Sequence, residues 1–573
     1  MGDERNDAES GEDEPRDDEV STESTSGEEA TKRDEETAGA EDAAGEAPEK
    51  RKDATGVPED WAPHPIVSPN AAWGLVALSV VLCPLGFAGF DIWPLAFIAW
   101  TPLIVALRGQ TPKRALKLGW VAGFGMTMVG FSWLTPMLEE FSGFPQWACV
   151  GMAAIVCIQK GGRIALLGWL YARMTQRGWH VGLSFMGAFA VSELVYPLLF
   201  PWYYGASMHT VPVMMQTADL GGPILVSLVV MGTNVALAEL LERPLFGLKP
   251  DRRTLALAVA PVVALAYGFV RMGQVELAVA EAESLKVGMV QGASPLKKRT
   301  NALRVHIEKT KELAEDGVGL VVWSEAAASR TFDEKSYEAA VKRRITRHLK
   351  VPTIVGTVIY ERIPNPDPKG RRARFFNTAL IADEKGDIHG RYDKQYLLMF
   401  GEYLPFGEEF PILYEWSPNS GAFSKGTSFE PLPFGEHRLS TMICYEDIIP
   451  GFVSKLVSEG DPDLLVNMTN DAWFGDTKEP WQHLALAKFR SVEHRLYMVR
   501  VTNTGVSAII DPVGRTPVVE GVDMAEPKTA TGEVRFLRLF SVYKKLGDIP
   551  WWLVTAVCVL AAFIPRRKQL RAS

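Results

Sequence analysis

Three residues carry chemistry both in their type and in their place. Glu325 closes the run VVWSE, Lys394 sits in RYDKQYLLMFGEYLPFG, and Cys444 ends RLSTMIC. A thiolate is a nucleophile, so a base must take the thiol proton. Glu325 is the candidate base, acting as a general acid–base group. Lys394 is the candidate stabiliser of an oxyanion, helped by a backbone N–H beside Cys444. Each residue also has an ordinary reading: a buried strand thiol, a helix N-cap acid and a surface lysine. Their spacing alone does not bring them together. Four histidines (His389, His437, His483 and His494) are candidates for a Cys–His pair, but no local pattern links any of them to Cys444.

The other cysteines, Cys83, Cys149, Cys157 and Cys558, lie in apolar runs, where cysteine acts as a small hydrophobe. No Cys-x-x-Cys pair occurs, so neither a disulfide framework nor a zinc ribbon is expected. No glycine-rich phosphate loop and no His-Glu-x-x-His occurs either. The sequence therefore calls for no metal, no cofactor and no nucleic acid.

The elements that must position these groups alternate in kind. LKVGMVQG reads as a strand, KKRTNALRVHIEKTKELAEDG as an amphipathic helix and VGLVVWSE as a strand. Further strands are expected at VPTIVGTVIY, FNTALIAD, STMICYED, DLLVNMTND and MVRVTNTGVSAIID, with a helix around WQHLALAKFRSVEHRL. Apolar strands interleaved with helices predict an α/β domain. In such a domain, residues at strand ends meet on one rim.

The rest of the chain is of two other kinds. Residues 1–65 are almost wholly polar and acidic, and they supply much of the net charge of −9. They cannot bury enough apolar surface to offset their chain entropy and are expected to be a disordered tail. They contain no basic segment followed by a cleavable apolar run. From residue 71 onward, long apolar runs approach the roughly 20 residues needed to cross a bilayer. Seven are expected at 71–88, 91–107, 116–136, 147–171, 180–200, 222–241 and 254–272, and an eighth at 549–565. The loops RGQTPKRALK, YARMTQRG and ERPLFGLKPDRR, and the terminal RRKQLR, are basic, whereas the alternate loops are poor in Lys and Arg. Positive loops stay inside, so both termini are expected in the cytoplasm and the α/β domain on the opposite side. The expected division is a tail (1–65), seven helices (66–273), a catalytic domain (274–547), and a last helix with a basic tail (548–573). Lys160, Arg163 and Glu193 fall within apolar runs. A buried charge in lipid needs a partner, so they are expected either to form a clasp or to line a lipid-headgroup pocket.

The motifs VVWSEA, RYDKQYLLMFGEYLPF, MICYED and NDAWFGDTKEPWQHLALAKFRSVEHRLYMVRVTNTGVSAIIDPVGR occur in that order. They resemble the carbon–nitrogen hydrolase (nitrilase) superfamily, and more closely its membrane branch, the apolipoprotein N-acyltransferases. GFDIWPLAFIAW and SELVYPLLFPWYYGAS in the helical half share the resemblance. It implies an α-β-β-α sandwich on a multi-pass helical base of about eight helices. It also implies Glu325 as base, Lys394 as oxyanion stabiliser and Cys444 as nucleophile, with Glu402, Tyr445 and Glu446 in support. The implied reaction passes an acyl chain from a phospholipid, typically phosphatidylethanolamine, through a cysteine thioester to the amine of an S-diacylglyceryl apolipoprotein. The implied location is the bacterial inner membrane, with a periplasmic catalytic domain. The chain departs from the family pattern at Ser324, where proline is usual, at Met399, and in QGASP, which lacks an aromatic. A water-using membrane amidase and a non-catalytic scaffold or transporter are the other function classes considered.

Overall fold

The computed structural model describes residues 65–242, 249–293, 302–367, 369–417, 420–521 and 526–564. The acidic tail, part of the ERPLFGLKPDRR loop and the terminal RRKQLR lie outside these residues. Trp61–Ser573 is one compact unit, in which a helical half carries a sheet-based half.

The helical half begins with α1 (Pro69–Leu85), α2 (Thr101–Leu107), α3 (Pro112–Gly130), α4 (Leu134–Ser142), α5 (Gln146–Gln176) and α6 (Val181–Val195). A short α7 (Pro212–Met215) leads into α8 (Ala218–Glu242). Then α9 (Arg252–Leu255) runs through a 3-10 turn into α10 (Ala260–Glu281). Three of these helices are long and apolar enough to cross a membrane, at 146–176, 218–242 and 252–281; α3 with α4, bent by 66°, makes a possible fourth. The segments 69–85, 93–107, 181–195 and 549–563 are apolar but shorter. The physical reasons are local. The expected run 91–107 holds Pro94 and Pro102 and divides into a 3-10 turn and a seven-residue helix. Residues 116–136 break at Phe131, where α3 ends. Within α8, Gly221 and Gly222 leave helical geometry ahead of Pro223. Helices α3 and α5 pack backbone to backbone. A Cβ on Gly119 would lie 2.3 Å from the Ile164 carbonyl oxygen, and one on Gly168 would lie 2.5 Å from that of Ala115. Small residues permit such contact between apolar helices.

The other half holds two sheets. β1 (Ser284–Gln291), β2 (Leu320–Trp323), β3 (Thr331–Asp333), β4 (Thr353–Arg362), β5 (Ala373–Ala382) and β6 (Ile388–Asp393) belong to the first. β7 (Leu432–Phe434), β8 (His437–Ile443), β9 (Leu464–Thr469), β10 (Met498–Thr502), β11 (Ser507–Ile510) and β12 (Val518–Glu520) form the second, in that spatial order. β13 (Lys528–Arg535) returns to the first sheet and pairs antiparallel with β1, Ser284 opposite Arg535. The first sheet runs β13-β1-β2-β4-β5-β6, with β3 on β4.

Inner faces meet in one core, where Val287, Met289, Val322 and Ile354 join Met442, Val466, Met468 and Val499. On the outer face of the first sheet lie α11 (Ala302–Glu315) and α12 (Tyr337–Arg344), through Leu313, Val341 and Ile345. A short α13 (Ile412–Trp416) follows, then α14 (Pro450–Gly460) and α15 (Glu479–His494) on the second sheet. The order is α-β-β-α. Finally α16 (Val542–Leu546) turns the chain into α17 (Ile549–Phe563).

Helix α15 is buried along its length save for Trp481, although it carries Glu479, His483, Lys488, Arg490 and Glu493. It lies between the second sheet and the helical half, so its polar groups have partners on both sides. Gln482 donates to the Gly130 carbonyl (2.9 Å) and accepts from the Trp133 indole (3.0 Å). Arg495, just past the helix in left-handed geometry, is fully buried. It lies 2.7 Å from Asp219 of α8 and donates to the Gln216 side chain at 2.6 Å. Arg271 of α10 shares Asp219 at 2.8 Å. Arg495→Met leaves Asp219 with Arg271 alone and the buried Gln216 oxygen without its donor, at a cost of about 1–3 kcal/mol for that unmet group. It is therefore expected to lower the melting temperature in detergent. Circular dichroism or tryptophan-fluorescence melts check this.

Candidate active site

Cys444 stands at the mouth of the second sheet, directly after β8, and opens a helical turn, Cys444–Ile448. Its φ is +55°, a left-handed conformation that costs a non-glycine residue about 1–3 kcal/mol unless its surroundings enforce it. The surroundings are hydrogen bonds. The Asn467 amide donates to the Cys444 carbonyl at 3.0 Å. The Glu446 carboxylate turns back to accept from the Ile443 N–H at 2.7 Å.

Glu446 also reaches the first sheet. It accepts from the Gln395 and Tyr396 N–H groups at 2.7 and 2.9 Å, and from the Tyr392 hydroxyl at 2.8 Å. One fully buried carboxylate thus ties the Cys444 turn to the segment bearing Lys394. Burial pushes Glu446 up to about 7, while the backbone donors and Lys394 pull it down. Three of its four partners are backbone N–H groups that can only donate, and these favour the carboxylate form.

Lys394 follows β6 and is 1 % exposed. Its ammonium lies 2.8 Å from Glu402 and 3.7 Å from Glu325. Asn377, on β5, donates through one amide nitrogen to Glu325 at 2.7 Å and to Glu402 at 3.3 Å. Glu402 is held in place by the Leu398 N–H at 2.8 Å. Burial works against the Lys394 charge, but Glu402, Cys444 and Glu325 outweigh it and raise its pKa. The Cys444 thiol is pushed well above its ordinary value by burial and then by Glu325; Lys394 and a hydrogen bond with Thr469 oppose this. The resting thiol is therefore protonated, beside a carboxylate and a fixed cation. Such a set suits nucleophilic attack on a carbonyl, with a base at hand and a positive group for the oxygen.

Every residue singled out in the sequence has a definite place here. Glu325, Lys394 and Cys444 share one pocket, with Glu402 against the lysine. Tyr445 turns away from it. Its hydroxyl donates to the Leu199 carbonyl and its ring packs on Tyr396 and Phe200, which belong to different halves of the molecule. His389 pairs with Asp383, His437 stacks on Phe536, and His494 packs against Tyr543. His483 is bonded to Asp447 and Asp471 behind the Cys444 turn. In the helical half, Arg163 lies 3.7 Å from Glu193, while Lys160 donates to the Phe200 carbonyl over the Phe131 ring.

Sequence reasoning missed Asn377, Thr469 and the partners of His483, namely Asp447, Asp471 and Arg500. The one available signal was a polar residue set within an apolar strand, as in FNTAL and NMTND. Asp471, Glu479 and His483 are the one set among the described residues that brings three metal-ligand atoms within 4.8 Å. Arg500, 3.1 Å from Asp471, already supplies positive charge there.

The chain matches two family models. Residues 79–236 match the apolipoprotein N-acyltransferase N-terminal domain, and residues 286–536 match carbon–nitrogen hydrolase. A curated apolipoprotein N-acyltransferase from Geobacter metallireducens is 31 % identical over 88 % of this chain and 97 % of its own length. The namesake from Azotobacter vinelandii is 31 % identical over 89 % and 98 %, and that from Pseudomonas aeruginosa 30 % over 87 % and 96 %. Among solved structures, an amidase from Nesterenkonia sp. aligns with a TM-score of 0.32 at 20 % identity, covering 44 % of this chain and 90 % of its own. A Saccharomyces cerevisiae member of branch 10 of the nitrilase superfamily aligns at 0.33 and 16 %, with the same coverage.

Proposed function

The chain belongs to the apolipoprotein N-acyltransferase family, and from that premise we propose that Cys444 carries an acyl chain from a membrane phospholipid to the N-terminal amine of an S-diacylglyceryl apolipoprotein. The observation that carries this reading is the buried Lys394 ammonium, 2.8 Å from Glu402 and 3.7 Å from Glu325 in a pocket shared with a protonated thiol.

In the first step the Cys444 sulfur attacks the phospholipid ester carbonyl, and Glu325 takes the thiol proton. The carbonyl oxygen becomes an oxyanion beside Lys394, whose charge Glu402 and Asn377 hold in position. The tetrahedral intermediate collapses, the ester C–O bond breaks, and Glu325 returns the proton to the departing lysophospholipid alkoxide. In the second step the acceptor amine attacks the thioester carbonyl and loses a proton to Glu325. The C–S bond breaks and the thiol is restored. Thiolates leave readily when an amine attacks. Hydrolysis competes unless water is kept out. Phe400, Phe406, Phe410 and Trp416 are all exposed on the segment after Lys394, and in this reading they cover the acyl chains. Phosphatidylethanolamine is the proposed donor. The proposed setting is the bacterial inner membrane, with the sheet half periplasmic and both termini cytoplasmic. The basic loops after the second, fourth and sixth apolar runs support that orientation.

The test is intact mass spectrometry of the purified protein with phosphatidylethanolamine, followed by peptide mapping. A hydroxylamine-labile gain of one acyl chain on the Cys444 peptide is expected, chased by a diacylated lipopeptide into its N-acyl product. Lysophospholipid with free fatty acid and no N-acyl product would point to a water-using amidase instead. An acyl group mapped elsewhere would reject Cys444.

A further inference from the structure

Behind the nucleophile lies a group of charges that the transfer chemistry above does not use. His483, on α15, is 95 % buried. Its Nε2 is 2.8 Å from an Asp447 oxygen and its Nδ1 is 3.3 Å from an Asp471 oxygen. A neutral imidazole has one N–H and one lone pair, and a lone pair cannot face a carboxylate. With carboxylates on both nitrogens, the ring is a cation that donates twice. Asp447 belongs to the turn opened by Cys444. Asp471 follows β9 and accepts from Thr469, itself a hydrogen-bond partner of the Cys444 thiol. The two carboxylates therefore come from the two segments that flank the sulfur.

Arg500 of β10 closes the group from below, 3.1 Å from Asp471 and 3.5 Å from Asp447. Glu479, one turn back on α15, faces the ring at 3.8 Å. These four are the charged groups against the imidazole from its own helix, the nucleophile turn, the turn after β9 and β10. The room is fixed from the far side by Gly505. Its φ is +124°, and a Cβ there would lie 2.6 Å from Asp471.

We propose that His483 is a positioning residue of acyl transfer: its imidazolium, shared between Asp447 and Asp471, fixes the turn bearing Cys444 against the strand end bearing Thr469. This rests on the acyl-carrier reading of Cys444. The ring does not touch substrate; it acts by holding the sulfur where attack on the ester is in line. Misplacement of a reacting atom by about 1 Å can cost about 10²-fold in rate. Burial opposes the charge on His483, but Asp447 and Asp471 outweigh it against Arg500 and hold the ring at about 10. That value lies above the ordinary 6.5, so the clasp is fully present below pH 6.5 and is lost as pH rises through about 10.

The test compares wild type, His483→Gln and Asp447→Asn in detergent with phosphatidylethanolamine, reading single-turnover thioester formation against pH. Melting temperature is read in parallel. Wild type should hold its rate up to about pH 9. Asp447→Asn removes the first support of the cation, so its rate should fall across about pH 7–9, where wild type is flat. His483→Gln should be about 10- to 100-fold slower, with no such limb. A flat profile for Asp447→Asn overturns the proposal, because a merely structural role would lower stability without creating the limb. A wild-type rate in His483→Gln overturns it too. Should His483→Gln fail to fold, the Asp447→Asn profile alone decides. If wild type forms no thioester on Cys444, the acyl-carrier reading has failed, and that outcome is visible before any variant is compared.

Discussion

Lys394→Met is expected to stop acylation of Cys444 almost completely, by about 10³-fold or more in single-turnover rate. Two losses combine. The oxyanion loses the cation beside it, and the two carboxylates lose what separates them. Glu325 and Glu402 both accept from one Asn377 nitrogen, so with the ammonium gone they are like charges in a buried site. Such a pair keeps one proton between them, and one pKa rises strongly. The base is then occupied at neutral pH. What activity remains should therefore climb as pH is raised, because the shared proton leaves only as pH passes the raised value. Hydroxylamine-labile mass gain at several pH values checks both the size and the slope. A decrease smaller than tenfold would remove Lys394 from the chemistry.

Glu446→Gln, although nearly isosteric, is expected to be almost as severe. The carboxylate accepts at both oxygens, from Ile443 N–H and Tyr392 O–H at one and from Gln395 and Tyr396 N–H at the other. An amide has one oxygen. Turned one way, its NH₂ group meets the Gln395 and Tyr396 N–H groups; turned the other, it meets the Ile443 N–H while the Tyr392 hydroxyl turns to accept. A buried donor left unsatisfied costs about 1–3 kcal/mol, and a loss of about that size is expected. The effect should reach activity because Glu446 joins the Cys444 turn to the Lys394 segment. Thermal melts and thioester formation, read together, check it. A variant that melts as wild type and acylates normally would contradict the shared-acceptor role.

Glu325 and Cys444 were legible as candidates because each follows an apolar run, whereas Lys394 follows the polar strand Ile388–Asp393 and stood out only within its motif. Glu402 and Glu446 were legible as neighbours in short motifs, though not for what they hold. Nothing local showed that Glu446 would reach back across the two sheets to Gln395. Asn377 and the His483 group escaped because their meaning lies in tertiary contact. Asp447, Asp471, His483 and Arg500 come from four separate elements, and a histidine in a helix pattern carries no sign of two carboxylates awaiting it. In the helical half, hydropathy located apolar runs but not their geometry. The chain divides 91–107 at its prolines and bends by 66° between α3 and α4.

One pairing reaches beyond the sheet that contains it. β1 leaves α10 and β13 leads through α16 toward α17, yet these two strands lie side by side, Ser284 opposite Arg535, with Phe536 N–H on the Glu283 carbonyl at 3.1 Å. The whole sheet half is thus a loop stitched shut at its own base. A body hung from one strand could swivel, but a body hung from a two-stranded seam cannot. The mouth that holds Cys444 keeps a fixed bearing relative to the helical half. The seam also sets an order of events in synthesis. The strand that closes it is the last of the sheet half to be made, so that half is sealed only when α16 and α17 are next to follow.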